Sequence, residues 1–217
     1  STKDGKLHIV FNGEIYNYKE LRSKLAHTEF VTNSDTEVLL NCSSFKSLDW
    51  LNDLNGMFSF ALWDIENNQL LLVRDRIGIK PLYYAKNSDN FLFASEIKAL
   101  VGSGFVSSGI NSEALAEYIA FRNVAGTETL FSGIHELQPG HALKLNLNDG
   151  TQTITRYWED GVPDRSTKDL FENLEEINLE TILTDSIRYR LIADVPIGTY
   201  NSGGVDSSLI SQMVKNL

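Results

Sequence analysis

The sequence predicts a layered α+β domain followed by the opening elements of a second, parallel α/β domain. Short apolar segments between 57 and 95 alternate with Asn- and Gly-rich turns, which is the spacing of hairpin strands. Residues 58–63 are apolar on both faces, which predicts a strand covered on both sides. Near the end, an apolar stretch leads through a glycine-rich loop into an amphipathic segment, as at the start of a parallel α/β domain.

The elements of the first domain follow from local patterns. Residues 7–11 predict a strand, and Asn17 with Glu20 has the pattern of a capping box at the start of a helix. A second helix is expected from about Asp35, capped by Ser34 or by Asp35 itself. Further strands are predicted at residues 57–64, 69–74, 81–85, 90–95, 142–147 and 151–157.

We place a linker at residues 159–167, which are polar, contain Gly and Pro and show no periodicity. The first domain is then 1–158 and the start of the second is 168–217. Apolar residues at helical spacing predict a helix between 170 and 191. A short buried strand is expected at 195–200, followed by the glycine-rich loop and a final helix.

The composition indicates a globular protein and argues against polyanionic partners. The 217 residues are 42% hydrophobic and carry a net charge of −10, which disfavours nucleic acid and anionic membranes as partners. The single cysteine, Cys42, excludes an internal disulfide framework, so we expect a cytoplasmic location. The chain starts at Ser1 and stops soon after the glycine-rich loop, and we expect both ends to be cut from a longer protein.

Residues 202–208, Ser-Gly-Gly-Val-Asp-Ser-Ser, are a candidate phosphate-binding loop. They precede a helix N-terminus, where free N–H groups and the helix dipole favour an anion. The glycines allow close approach, and the hydroxyls add donors. A Walker loop is excluded because its lysine is absent. A lone Ser-Gly-Gly turn is more often a simple helix cap, but the full pattern after a predicted buried strand favours phosphate binding.

Asn12, Gly13, Glu14 and Asp35 form a second candidate site. The Asn12 amide and the backbone N–H of Gly13 are two donors that could converge on an oxyanion. The carboxylates of Glu14 and Asp35 could pair with a substrate ammonium group. From these residues alone the simpler interpretation is preferred, namely an Asn-Gly turn, a solvated Glu14 and a helix cap at Asp35.

Seven motifs then occur in one order along the chain. They are NGEIYNYKELR, SDTEVLL, LNGMFSFALWD, RDRIGIKPLYY, FASEIKAL, ELQPGHAL and DVPIGTYNSGGVDSS. Together they resemble the glutamine-hydrolysing asparagine synthetases. The resemblance implies a partial class II glutamine amidotransferase domain of the N-terminal-nucleophile fold, with four αββα layers. It also implies the first helix, strand, loop and helix of a parallel α/β ATP-pyrophosphatase domain.

The resemblance implies roles for both candidate sites. Asn12 and Gly13 would form an oxyanion hole. Glu14 and Asp35 would bind the α-amino group of glutamine. Asp206 would help to hold Mg²⁺ on the pyrophosphate of ATP. The residues expected at ATP or its pyrophosphate are Tyr200, Asn201, Ser202, Gly203, Gly204, Asp206, Ser207 and Ser208.

The implied activity is asparagine synthesis from glutamine, aspartate and ATP, with release of AMP and pyrophosphate. Ammonia from glutamine would pass through a tunnel to aspartate activated as β-aspartyl-AMP. One alternative is a related amidotransferase or β-lactam synthetase with another carboxylate acceptor, which would be bound by residues past Leu217. Another is a non-catalytic binding module of degenerate glutaminase fold. A homodimer is left open.

Two features depart from the family pattern. The family's nucleophile is an N-terminal cysteine several dozen residues before the Asn-Gly-Glu motif, and neither it nor the accompanying arginine is found here. Cys42 is expected to be a core or surface thiol. Ser1 is an N-terminal nucleophile in principle, but it lies only eleven residues before Asn12, so we expect its position to mark where the sequence was cut. This fragment alone is therefore expected to be inactive. Asn201 occupies a position that is usually apolar. We expect a structural or interdomain ion-pair role for the charged residues at 74–80.

Overall fold

A computed structural model describes residues 1–25, 28–107, 109–159, 178–193 and 195–217. The chain divides into two compact units, Ser1–Glu159 and Asp160–Leu217. Apart from Glu159, the predicted linker lies outside the described residues and stays a prediction. The first part of the helix predicted between 170 and 191 also lies outside them.

The first unit contains two antiparallel sheets. The strands are β1 (Leu7–Ile15), β2 (Gly56–Asp64), β3 (Gln69–Arg74), β4 (Tyr83–Lys86), β5 (Phe91–Ala94), β6 (Ile134–Glu136), β7 (His141–Asn146) and β8 (Gln152–Arg156). The larger sheet has the order β1-β2-β3-β7-β8, and the smaller has the order β5-β4-β6. The helices are α1 (Tyr18–Lys24), α2 (Asp35–Cys42), a 3₁₀ helix (Asp49–Asp53), α3 (Ile97–Gly102) and α4 (Ser112–Phe121).

Three apolar clusters separate four layers. The first lies between α1 and α2 and one face of the larger sheet, the second between the two sheets, and the third between the smaller sheet and α3. Their buried members include Leu39 and Phe60 in the first cluster, Leu72 and Leu143 in the second, and Leu100 and Ile134 in the third. This αββα order confirms the predicted fold class.

Strand β2 lies at the centre of these layers. Phe58 and Phe60 face the helices, whereas Ala61, on the opposite face, packs against the smaller sheet. Because successive side chains alternate between the faces of a strand, an all-apolar run requires cover on both sides. The prediction from residues 58–63 is confirmed, except that Trp63 is 42% exposed.

Two local predictions are corrected by tertiary contacts. The segment Asn12 to Glu14 is strand rather than turn, because β1 stays paired with β2 as far as Ile15. The Asn17 side chain makes no capping bond at the start of α1. Instead its Nδ2 donates to the carbonyl of Asp53 at 2.8 Å, and its Oδ1 accepts from the N–H of Asn55 at 2.9 Å.

The second unit contains helices α5 (Leu179–Arg190) and α6 (Val205–Asn216), which contact each other. The strand predicted at residues 195–200 is wrong, since those residues form no strand and are exposed. A strand is stabilised by hydrogen bonds to a neighbouring strand, and no strand among the described residues pairs with this segment. None of the described helices is long and apolar enough to cross a membrane.

Candidate functional site

The Asn-Gly-Glu motif lies in β1, the edge strand of the larger sheet, which pairs with β2. Asn12 lies opposite Ser59, and Gly13 lies opposite Phe58. The φ angle of Gly13 is +146°, and a Cβ at this position would lie 2.1 Å from the carbonyl oxygen of Met57. Only glycine accommodates this close approach, because any other residue would force the two strands apart.

Asp35 lies at the end of the same strand. Its Oδ2 accepts a hydrogen bond from the backbone N–H of Ile15 at 3.0 Å. The helix cap is Ser34, whose Oγ accepts from the N–H of Thr36 at 3.1 Å, so the alternative of Asp35 as the cap is wrong. The structure therefore brings Asp35 to Ile15, the residue that follows Glu14. Glu14 itself is exposed.

The side chain of Asn12 points toward the smaller sheet. Its Nδ2 donates to the hydroxyl Oγ of Ser95 at 3.0 Å, immediately after β5. Ser95 was not among the residues that the sequence singled out. Its only signal is its place in the motif FASEIKAL, which carries no local pattern that indicates a partner 83 residues away.

Arg74 links the two sheets near Asn12, since it lies opposite Ser59 on the other side of β2. Its guanidinium donates to the backbone carbonyls of Lys80, Leu137 and Gly78 at 3.0, 2.7 and 3.1 Å. It also forms an ion pair with Glu136 at 2.7 Å, and its side chain is only 8% exposed. The structural role expected for the charged residues at 74–80 is confirmed for Arg74, the last residue of β3.

Asp75 holds the backbone of the loop that follows β3. Its carboxylate accepts hydrogen bonds from the N–H groups of Phe58, Ile79 and Lys80 at 3.2, 2.9 and 2.9 Å. Phe58 is the residue opposite Gly13. Asp75 therefore stabilises the strand against which the Asn-Gly-Glu motif lies, and its role is also structural.

The glycine-rich loop is closed by its own side chains. Oδ1 of Asn201 accepts from the N–H of Gly203 at 2.8 Å and from Oγ of Ser207 at 3.2 Å. Oγ of Ser202 lies 3.1 Å from Oγ of Ser207. Gly203 has a φ of +83°, with open space where a Cβ would be. These two hydroxyls lie at the start of α6, with Ser202 before the N-cap residue Gly204 and Ser207 in the first turn of the helix.

The remaining predicted ATP-site residues lie on the same exposed segment. Tyr200 is 95% exposed, and Asp206 is an acidic residue in the first turn of α6. The described residues contain no group of three or more His, Cys, Asp or Glu side chains that could hold a metal by themselves. Asp206 offers one carboxylate, and Mg²⁺ usually binds proteins through one or two carboxylates together with substrate phosphates.

The first unit matches a known protein family. Residues 1–158 match the glutamine amidotransferase domain. The chain belongs to this family. Residues 178–217 of the same chain match asparagine synthase. The resemblance inferred from the motif order is confirmed by these two matches and by the relatives that follow.

Several curated relatives cover nearly the whole of this amidotransferase chain. The glutamine-hydrolyzing asparagine synthetase 3 of Bacillus subtilis is 38% identical over 94% of the chain and 33% of that protein. The amidase chry2 of Gibberella zeae is 36% identical over 99% of the chain and 32% of that protein. The chain thus spans about a third of the length of these relatives.

One solved structure supports the fold of the amidotransferase domain. It is described as the allosteric regulatory enzyme of purine biosynthesis and matches with a TM-score of 0.52. The match is 23% identical and covers 74% of this chain and 30% of that one. At this level of identity the likeness concerns the fold alone.

Cys42 lies on the helical side of the amidotransferase domain, at the last residue of α2. It is half-buried against the first apolar cluster. Burial raises the pKa of its thiol, and a raised pKa lowers the fraction of the nucleophilic thiolate. Of the two placements predicted for Cys42, core or surface, the structure shows a thiol that is packed against the core but not fully buried.

A wide surface cavity of about 760 Å³ also lies on this side of the domain. Its lining includes Ser34, Thr36, Glu37, Leu40 and Asn41. None of the four residues of the Asn-Gly-Glu and Asp35 site lines it. The cavity that does contain Asn12 is smaller, about 100 Å³, and lies between the two sheets.

Proposed function

We propose that this chain is part of a glutamine-hydrolysing asparagine synthetase. The observation that carries the proposal is the convergence of the Asn-Gly-Glu motif and Asp35 at one end of β1. The hydrogen bond between them joins Ile15 and Asp35, which are 20 residues apart in the sequence. The same chain continues into a region that matches asparagine synthase. We also infer that the protein is cytoplasmic.

In the glutaminase reaction, Asn12 and Gly13 would supply the donors that stabilise negative charge on the amide oxygen of glutamine. Glu14 and Asp35 would hold the α-ammonium group of the substrate. Asp35 is held by its bond to Ile15, so it offers a fixed negative charge at this edge. We place the nucleophile outside these 217 residues, because Cys42, the sequence's single cysteine, is half-buried with a raised pKa.

In the synthetase reaction, the loop before α6 would hold the pyrophosphate of ATP, with Asp206 as a ligand of Mg²⁺. The open space at Gly203 and the adjacent hydroxyls fit a phosphate group. When bound, ATP would supply the adenylyl group that activates the acceptor carboxylate, and Mg²⁺ would neutralise charge on the pyrophosphate that is released. The bond from Gly203 to Asn201 has to open before the N–H of Gly203 can reach a phosphate oxygen.

The direct test is a product balance in the complete protein that contains this chain. With glutamine, aspartate, ATP and Mg²⁺, we expect asparagine, glutamate, AMP and pyrophosphate in equal amounts. Absence of glutamine hydrolysis would favour a non-catalytic module. The 217-residue chain alone is expected to release no ammonia. Release that Ser1→Ala abolishes would instead identify Ser1 as a nucleophile.

A second candidate differs only in the acceptor. The match to the amidase of Gibberella zeae, 36% identical over 99% of the chain, shows only that this sequence is also similar to a protein that is not named as an asparagine synthetase, so the acceptor has to be tested. The same assay separates the two when aspartate is replaced by other carboxylates. Pyrophosphate release that depends on another carboxylate and not on aspartate would favour the second candidate.

A further inference from the structure

The carboxamide of Asn12 is held by a residue of the other sheet. Asn12 belongs to β1 of the larger sheet, and Ser95 directly follows β5 of the smaller one. The bond from Nδ2 to Oγ is 3.0 Å long, and both residues are partly buried. The direction of the Asn12 amide is therefore coupled to the packing of the two sheets.

Both side chains line the 100 Å³ cavity between the sheets. Ser59, opposite Asn12 on β2, is the other polar residue of this lining. The apolar lining residues are Val10, Phe60, Ala61, Leu82, Phe93 and Ala94. In such weakly polar surroundings a fixed N–H stabilises a developing negative charge more strongly than it does in water.

We infer that Ser95 is a positioning residue for the Asn12 amide during glutamine hydrolysis, an inference that rests on the proposed oxyanion role of Asn12. A carboxamide has two N–H donors. When Oγ of Ser95 accepts one of them, the plane of the amide is fixed and the second N–H is left for the oxyanion. Without Ser95 the terminal torsion of Asn12 has a broad range of angles.

The effect of losing Ser95 is expected in kcat rather than in KM. The oxyanion develops only as the transition state is approached, so a misdirected donor weakens the transition state more than the bound substrate. In the complete protein, Ser95→Ala should lower kcat for glutamine hydrolysis by about 10-fold to 100-fold. KM for glutamine should change less than about twofold, and synthesis from added ammonia should be unchanged.

Two further variants separate positioning from simple destabilisation. Ser95→Thr keeps the hydroxyl and should restore most of the activity. Ser103→Ala removes a hydroxyl whose Oγ donates to the carbonyl of Leu100 at the end of α3, and it should leave glutamine hydrolysis unchanged. A rise in KM alone, or no rescue by Ser95→Thr, would overturn the positioning role.

Asn12→Ala shows whether the proposed oxyanion role itself is correct. If Asn12→Ala abolishes glutamine hydrolysis but Ser95→Ala has no effect, only the inference about Ser95 fails. If Asn12→Ala hydrolyses glutamine normally, the oxyanion role fails and the inference falls with it. Independently of activity, the side-chain amide protons of Asn12 in the NMR spectrum of the 217-residue chain should shift upfield in Ser95→Ala. An unchanged shift would also contradict the inference.

Discussion

The carboxylate of Asp35 accepts a hydrogen bond from the backbone N–H of Ile15 at 3.0 Å. This bond ties the first residue of α2 to the last residue of β1. It places an acidic side chain beside the Asn-Gly-Glu motif without using it as the helix cap. Replacing Asp35 by Asn therefore leaves the cap of α2 intact, and the lost charge in the first turn should cost the helix only about 0.3 to 1 kcal/mol.

In the complete protein, Asp35→Asn keeps an oxygen acceptor for Ile15 and removes the charge. If Asp35 pairs with the ammonium group of glutamine, the lost contact is worth about 1.5 to 3 kcal/mol. At low glutamine, activity should then fall by about one to two orders of magnitude. Synthesis from ammonium chloride should stay near normal. The control is Ser34→Ala, which removes the cap of α2 and should affect both nitrogen sources alike. Equal loss with both sources in Asp35→Asn would show a structural role only.

Asp206→Asn should abolish pyrophosphate formation while glutamine hydrolysis persists. The substitution removes a carboxylate where we place Mg²⁺ and leaves the glutaminase residues unchanged. Pyrophosphate and ammonia should be measured side by side in the complete protein. Glu180→Gln, which removes an acidic residue from the first turn of α5, is the matched control and should keep both activities. Normal pyrophosphate output from Asp206→Asn would leave the loop as a structural turn.

Asn201→Ala should strengthen nucleotide binding, because it frees the N–H of Gly203 for a phosphate oxygen. The expected gain in affinity for MgATP is about 2-fold to 10-fold, the range of a single hydrogen bond. Isothermal titration calorimetry of the complete protein measures it. Asn216→Ala, at the other end of α6, serves as the control. Weaker binding in Asn201→Ala would mean that Asn201 contacts the nucleotide directly.

Arg74→Met should destabilise the 217-residue chain by about 3 kcal/mol or more, since it leaves the Glu136 carboxylate and three backbone carbonyls without their donor. Urea unfolding followed by circular dichroism measures the change. Lys6→Met breaks the exposed ion pair between Lys6 and Glu66 and should have a much smaller effect. Similar midpoints for the two variants would contradict a buried stabilising role for Arg74.

Gly13→Ala should destabilise the same chain by at least about 2 kcal/mol. The added Cβ would lie 2.1 Å from the carbonyl oxygen of Met57, and the φ of +146° is unfavourable for alanine. The control is Gly102→Ala in α3, where the space is open and φ is ordinary. This variant should be more stable by about 0.4 to 1 kcal/mol. If Gly13→Ala unfolds at the same urea concentration as the parent chain, the close strand approach is not a constraint.

The sequence by itself determined the features that depend on neighbouring residues. The β2 and β3 strands, the start of α2 at Asp35 and the helix after the glycine-rich loop all follow from periodicity and capping patterns. The order of the motifs also predicted the family, which the matches over residues 1–158 and 178–217 confirm. Periodicity and capping patterns depend only on residues close together in the chain, so they can be read without knowing how the chain packs.

Only the tertiary structure decided which distant groups meet. Asn12 and Ser95 are 83 residues apart, and Arg74 and Glu136 lie in different sheets, so no local pattern indicates either contact. Pairing with β2 also turned the expected turn at residues 12–14 into strand, because a neighbouring strand outweighs turn propensity. Residues 195–200 show the converse, since an apolar segment without a neighbouring strand among the described residues does not form one.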